Sequence, residues 1–193
     1  MEPDEKTLWN KKYSEGSYPA SEPEPLAVQT FTQFLATSRG GIALDVAGGA
    51  GRNALWLAQR GWRVKLIDIS EAGIALAQGS LRKAGLQHLL ETEVVDLNAM
   101  HDLGRDAYDL VLVIYYLQRE LFPALAAALK PGGLLIYQTY TTGQLQLPQG
   151  PHNPRFLLQP GELRLAFPSL KVLHYLEGTS SERATAELVA RKA

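Results

Sequence analysis

A chain of 193 residues with a formal net charge of −1 is long enough for one full-sized domain, and its charge balance excludes an overall electrostatic pull toward nucleic acid or anionic lipid. The absence of cysteine excludes disulfides, thiolate metal sites and a cysteine nucleophile. Residues 1–12 are polar and charged without the apolar run of a signal peptide, and no stretch has the length of a membrane span, so the sequence reads as a cytoplasmic protein.

Residues 1–25 form a polar N-terminal segment with four prolines (Pro3, Pro19, Pro23, Pro25). Trp9 and Tyr13, spaced i, i+4, share one face of a short helix, and Tyr18 follows. Two readings stay open: a tail that packs its aromatics on the domain, or a flap over a ligand. From residue 26 onward a single domain is expected. Residues 26–38 read as a helix ended by Gly40 and Gly41, and 42–46 as the first strand. A glycine-rich turn, Ala47-Gly48-Gly49-Ala50-Gly51, leads into a helix over 52–60 closed by Gly61. Residues 64–68 are the second strand. Ser70 is an N-cap with Glu71 in the first turn of a helix that runs through Ala84 and stops at Gly85. The third strand covers 90–95 and the fourth 108–114, whose continuous apolar character fits a strand covered on both faces. A helix over 121–129, the turn Lys130-Pro131-Gly132-Gly133 and a fifth strand over 134–139 follow. Residues 141–160 carry four prolines and read as a long irregular loop, a length usually reserved for functional or mobile segments. A short helix at 161–167 and two strands at 170–176 and 184–191, a hairpin, close the chain.

Alternating strands and helices imply an α/β domain with a mostly parallel sheet. In such a sheet, ligands lie beyond the carboxyl ends of the strands. Three successive strands carry an acid there: Asp45, Asp68 and Asp96. A carboxylate after the second strand suits the two hydroxyls of a ribose. One at Asp96 suits an exocyclic amino group at the base end of the same nucleoside. The turn Gly49-Ala50-Gly51-Arg52-Asn53-Ala54 matches G-x-G-x-x-A, which keeps a nicotinamide-dependent oxidoreductase open. Asp45 argues against a pyrophosphate at that turn and for a cationic ligand. S-adenosylmethionine has a nucleoside, a sulfonium and an ammonium group, and no phosphate.

On these residues most of the chain resembles the class I S-adenosylmethionine-dependent methyltransferases. Residues 43–51 resemble their first motif, acid-x-G-x-G-x-G, with Ala47 in place of the first glycine. Asp68 matches the ribose acid, Asp96 the adenine-proximal acid, and Lys130-Pro131-Gly132-Gly133 the turn before the fifth strand. The resemblance implies a Rossmann-like, doubly wound α/β fold with a seven-stranded, mostly parallel sheet and an antiparallel C-terminal hairpin, and a single methyltransferase domain over 26–193. It implies a cofactor site of Asp45, Ala47, Gly48, Gly49, Gly51, Asp68, Ile69, Asp96, Leu97 and Ile114. Trp9-Asn10-Lys11-Lys12-Tyr13, the run from Gly51 to Ala58, and the run from Phe156 to Leu163 are similar to the tellurite-resistance and thiopurine-type enzymes. That likeness implies a small, soft acceptor such as a thiol or a chalcogen oxyanion.

Methyl transfer to a soft nucleophile needs alignment more than a general base. No catalytic residue is therefore assigned. Tyr13, Tyr18, Tyr115, Tyr116, Tyr140, His152 and Arg155 are the acceptor-pocket residues to examine, with His152 the best-placed base because it lies on an irregular loop. The four histidines are too scattered for a metal site. Arg52, at the start of the helix after the glycine turn, is either an anion ligand or a solvated first-turn residue. A non-catalytic S-adenosylmethionine-binding module is the remaining alternative. Neither nucleic acid nor a membrane is an expected partner, and the oligomeric state is not legible.

Overall fold

The computed structural model describes residues 4–16, 22–38, 40–99 and 102–193. The chain divides into two compact units, Met1–Met100 and His101–Ala193.

The first unit contains α1 (Glu5–Ser14), α2 (Pro25–Phe34), β1 (Ile42–Val46), α3 (Arg52–Ala58), β2 (Arg63–Asp68), α4 (Glu71–Lys83) and β3 (Leu90–Val94). β1 pairs parallel with β2, setting Asp45 opposite Leu66. β2 pairs parallel with β3, setting Asp68 opposite Val94. Leu44, Leu57, Trp62, Leu66, Ile67 and Leu81 are fully buried and form the core between strands and helices. α4 starts where the cap chemistry says it should: the Ser70 hydroxyl accepts from the Gly73 N–H at 3.0 Å. α2 ends at Phe34, earlier than its apolar pattern suggests. Thr37 and Ser38 give the helix little to continue with, and the Ser38 hydroxyl donates instead to the Gly40 carbonyl at 2.9 Å.

α1 buries no residue of its own. Asp4 caps it by accepting from the Thr7 N–H at 2.8 Å. It also docks on α4. Asn10 Oδ1 accepts from the Ser70 hydroxyl at 2.8 Å and from the Ala72 N–H at 3.0 Å. Lys6 pairs with Glu71 at 2.6 Å.

The second unit contains β4 (Tyr108–Ile114), α5 (Phe122–Ala128), β5 (Leu129–Tyr140), α6 (Glu162–Leu165), β6 (Leu170–Thr179) and β7 (Ala184–Lys192). β4 and β5 are parallel. β7 runs antiparallel to both β5 and β6. β5 begins five residues before the expected 134, because the Lys130-Gly133 turn is absorbed into the strand beside a register shift between Tyr108 and Leu110. Gly133 makes this possible: a Cβ there would stand 2.9 Å from the Lys130 carbonyl and 3.0 Å from that of Tyr108.

Residues 141–160 depart from the irregular loop read from sequence. Two short 3-10 turns form, at Thr142–Gln146 and Pro154–Phe156. Gln144 is fully buried, accepts from the Ala184 N–H at 2.9 Å and donates to the Gln149 carbonyl at 2.5 Å. Leu157 and Leu158 are buried, and Arg119 forks onto Glu162 while also donating to the Leu157 carbonyl at 2.9 Å. The segment is anchored through partners far from it in sequence.

The strands form a seven-stranded sheet in the order β3-β2-β1-β4-β5-β7-β6. The parallel strands and the antiparallel C-terminal pair are those expected from the sequence. Among the described residues no helix is long and apolar enough to cross a membrane, and no cluster of His, Asp and Glu could hold a metal ion.

Candidate cofactor site

The turn between β1 and α3 is built from left-handed backbone. Ala47, Gly49 and Gly51 have φ of 53°, 55° and 75°. Glycine adopts this region freely, whereas an L-residue with a Cβ does not. Ala47 therefore carries strain at the position where the related motif has its first glycine. Ala47→Gly is expected to raise stability by about 0.5–1 kcal/mol, a rise of about 1–4 °C in melting temperature by calorimetry. An unchanged or lower value would mean that the alanine methyl packs well enough to offset the strain.

Asp45 lies one residue inside the end of β1, buried, with Oδ2 lacking any hydrogen-bond partner. The turn passes directly over it: a Cβ on Gly48 would stand 2.8 Å from the carboxyl carbon and 2.9 Å from Oδ2. Burial pushes the Asp45 carboxyl up to about 7, against the pull of Arg52 and the Ala54 N–H and with some help from the Asp68 charge. Asp68, the last residue of β2, is also buried. Its Oδ2 accepts from the Gly49 N–H and its Oδ1 from the Ser70 N–H, each at 2.8 Å. Burial raises its carboxyl too, opposed by those N–H groups. One carboxylate thus ties the glycine turn to the start of α4.

Asp96 lies two residues beyond the end of β3, not at a strand end as expected. It is exposed, and its Oδ1 accepts from the Asn98 N–H at 2.9 Å. Leu97 beside it is buried and Ile69 is half-buried.

Tyr13 on α1 reaches the turn. A Cβ on Gly49 would run into the Tyr13 hydroxyl, and one on Gly73 would stand 3.0 Å from its ring. The Trp9 and Tyr13 rings are 6.0 Å apart, as their spacing on one helix face requires. Tyr18 lies outside the described residues. Arg52 pairs at 2.7 Å with the buried Glu24, whose own N–H donates to Asn53 Oδ1 at 2.9 Å. Arg52 therefore has a structural partner in α2's cap residue, a role that neither sequence reading included.

The other expected residues belong to the second unit. Ile114 ends β4, and Tyr115 follows it. The Tyr115 and Tyr140 rings are 5.1 Å apart. The Tyr116 carbonyl accepts from the Tyr137 hydroxyl at 3.0 Å. His152 is exposed, with Nε2 2.8 Å from the Leu147 carbonyl. Arg155 is exposed, its guanidinium 5.7 Å from the Phe156 ring centre. Sequence reasoning missed Asn10, which stood inside a quoted motif without a role, and Gln138 and Arg183, which meet the Tyr115 hydroxyl. None of the three had a local signal, since each partner is at least 23 residues away.

A buried carboxyl with an unpaired oxygen beneath a glycine turn suits a cationic ligand and opposes a pyrophosphate. Residues 43–133 match a family described as a methyltransferase domain. The ubiquinone biosynthesis O-methyltransferase of Stutzerimonas stutzeri is 27% identical over 164 residues, 75% of this chain and 69% of that protein. TehB from Haemophilus influenzae has a similar structure at 21% identity, with a TM-score of 0.73 over 97% of this chain and 67% of that one. So does a structure described for the conversion of a disulfide bond into a thioacetal group during echinomycin biosynthesis, at 21% identity and a TM-score of 0.72 over 98% of this chain and 92% of that one. At such identities the two structures establish the fold. Residues 43–133 therefore carry a methyltransferase domain, and the unpaired Asp45 oxygen suits the cationic S-adenosylmethionine as its cofactor better than the pyrophosphate of the nicotinamide alternative.

Proposed function

We propose that this methyltransferase acts on a small-molecule acceptor. In this reading Gly48, Gly49 and Gly51, with Ala47, cradle the cofactor. Asp45 balances its positive charge, Asp68 accepts from its ribose hydroxyls, and Ile69, Asp96 and Leu97 line its nucleoside. When bound, S-adenosylmethionine supplies an electrophilic methyl carbon, which an acceptor lone pair takes while the carbon–sulfur pair returns to sulfur and any acceptor proton leaves to solvent or a base. The chain's task is then to hold the acceptor in line, an effect worth about 7–11 kcal/mol at best. The unpaired Asp45 Oδ2 carries the cofactor half of the proposal. The small-molecule half rests on the net charge of −1, too little positive charge for a nucleic-acid surface, and on the ubiquinone-pathway name of the relative.

The test is release of S-adenosylhomocysteine across a panel of thiols, selenite, tellurite, phenols and amines. Release with one chemical class defines the acceptor. Cofactor binding without release on any of them would reduce the chain to a binding module.

We further propose that residues 1–25 act as a flap, with α1 closing over the cofactor turn through Tyr13. Deleting residues 1–16, which keeps the buried Glu24 on Arg52 and Asn53, is expected to weaken S-adenosylhomocysteine binding about tenfold, because the Asn10 cap on α4 and the Tyr13 cover over Gly49 leave together. Calorimetry reads this directly, and an unchanged dissociation constant would return the segment to the status of a tail.

A further inference from the structure

The carboxyl end of β5 carries a polar group that the strand does not need. Gln138 is buried. Its Nε2 donates to the Tyr115 hydroxyl at 3.1 Å, and its Oε1, on the same amide carbon, has no hydrogen-bond partner. Arg183, in the turn before β7, donates to that hydroxyl at 2.7 Å and stands 5.3 Å from the Tyr115 ring centre. Two donors therefore converge on one hydroxyl, while the acceptor beside them is left without a donor. Ile136, on the same face of β5 one pleat earlier, is apolar and fully buried, so this face has no general demand for polarity.

Tyr115 adds a second observation. Its φ is 58°, a region disfavoured for a residue with an aromatic side chain, and its N–H is pinned to the Gln138 carbonyl at 2.7 Å. Strained backbone and unpaired buried polar groups persist where a ligand completes the set. The Tyr140 ring, 5.1 Å from that of Tyr115, provides an aromatic wall for a flat molecule.

We infer that Gln138 and Tyr115 recognise the methyl acceptor, and that the acceptor is a phenol-like hydroxyl compound whose O–H donates to Gln138 Oε1. This rests on the small-molecule reading above and narrows it. A thiol is a weak donor and a fully ionised chalcogen oxyanion is no donor at all, so neither satisfies the stranded oxygen. A site built to pair with a hydroxyl rejects an analogue that lacks one far more strongly than an apolar pocket does.

Catechol and its dimethyl ether, titrated calorimetrically into the S-adenosylhomocysteine-loaded protein, provide the test. Catechol is expected to bind at least about tenfold more tightly than the ether. Gln138→Leu should remove that preference, and Gln138→Met, closer in shape, serves if the leucine variant does not fold. Gln138→Glu, whose carboxylate still accepts, should keep it. Equal affinities in the wild type, binding of neither compound, or a preference that survives Gln138→Leu or Gln138→Met would overturn the inference. Turnover is a separate arm: catechol bound with the expected preference, yet never methylated from S-adenosylmethionine, would overturn the transfer reading and leave the recognition assignment standing.

Discussion

Asp45→Asn is expected to weaken S-adenosylmethionine binding by about 100-fold or more, because the buried carboxylate is replaced by a neutral group beside a cationic ligand. The same substitution should leave the cofactor-free protein at least as stable as the wild type above pH 7. The sign follows from the raised carboxyl. In the unfolded chain Asp45 ionises near 3.8, and in the folded chain near 7. Between those values the folded state holds a proton that the unfolded state has lost, so stability falls as pH rises through the window. A pKa displaced that far is worth about 4 kcal/mol at most. Asparagine has no charge to bury, so its advantage should appear near pH 8 and close toward pH 4. Cofactor affinity has the opposite slope in the wild type. Only the ionised carboxyl attracts a cation, so affinity should climb from about pH 6 to about pH 8 and level off beyond. S-adenosylhomocysteine, which lacks the sulfonium charge, should climb less steeply if Asp45 faces the sulfur. Calorimetric titration across that range, with thermal melts of both proteins, checks each arm. A pH-independent affinity, or an asparagine variant that binds normally, would remove Asp45 from the cofactor site.

What the sequence disclosed and what it withheld divide by distance along the chain. The glycine turn, the Ser70 cap and the strands ending near Asp45 and Asp68 depend on neighbours within a few residues, so composition and periodicity revealed them. The N-terminal helix was visible as a Trp9–Tyr13 face, but its docking was not. Asn10 meets Ser70, 60 residues away, and a single asparagine on a polar helix carries no pattern. Arg52 and Glu24 are 28 residues apart, so the arginine looked like a solvated residue or an anion ligand. The long segment after β5 reads as irregular in sequence because its prolines and glycines are local signals. What orders it is Gln144 on the Ala184 N–H and Arg119 on the Leu157 carbonyl, contacts across 40 and 38 residues. Polar residues that hold a fold by such contacts have no period to betray them. Asp45 shows the limit from the other side: the sequence identified the acid, but only burial makes it a carboxyl near 7 with an unpaired oxygen.

Asp68→Ala is expected to abolish measurable cofactor binding and also to destabilise the fold. Both carboxylate oxygens are already in use by the protein, one on the Gly49 N–H and one on the Ser70 N–H. Each such bond to a charged acceptor is worth about 1.5–3 kcal/mol, and the alanine strands the Gly49 N–H in the glycine turn and the Ser70 N–H at the start of α4. Part of that loss is recovered, because the buried charge itself disappears and its desolvation with it. A net destabilisation of about 2–3 kcal/mol, or about 4–12 °C in melting temperature, is the expected balance. Loss of binding by this variant would therefore not distinguish a grip on the ribose from a collapsed turn. Ligand variation does. If Asp68 accepts from the ribose hydroxyls, wild-type protein should bind adenosine at least about tenfold more tightly than 2′,3′-dideoxyadenosine, since two donors to a buried carboxylate are missing from the latter. Asp68→Asn, which keeps one acceptor for the turn, should narrow that ratio while retaining most of the melting temperature. A wild-type protein that binds the two nucleosides equally would confine Asp68 to shaping the glycine turn, and the ribose would have to be held by other groups.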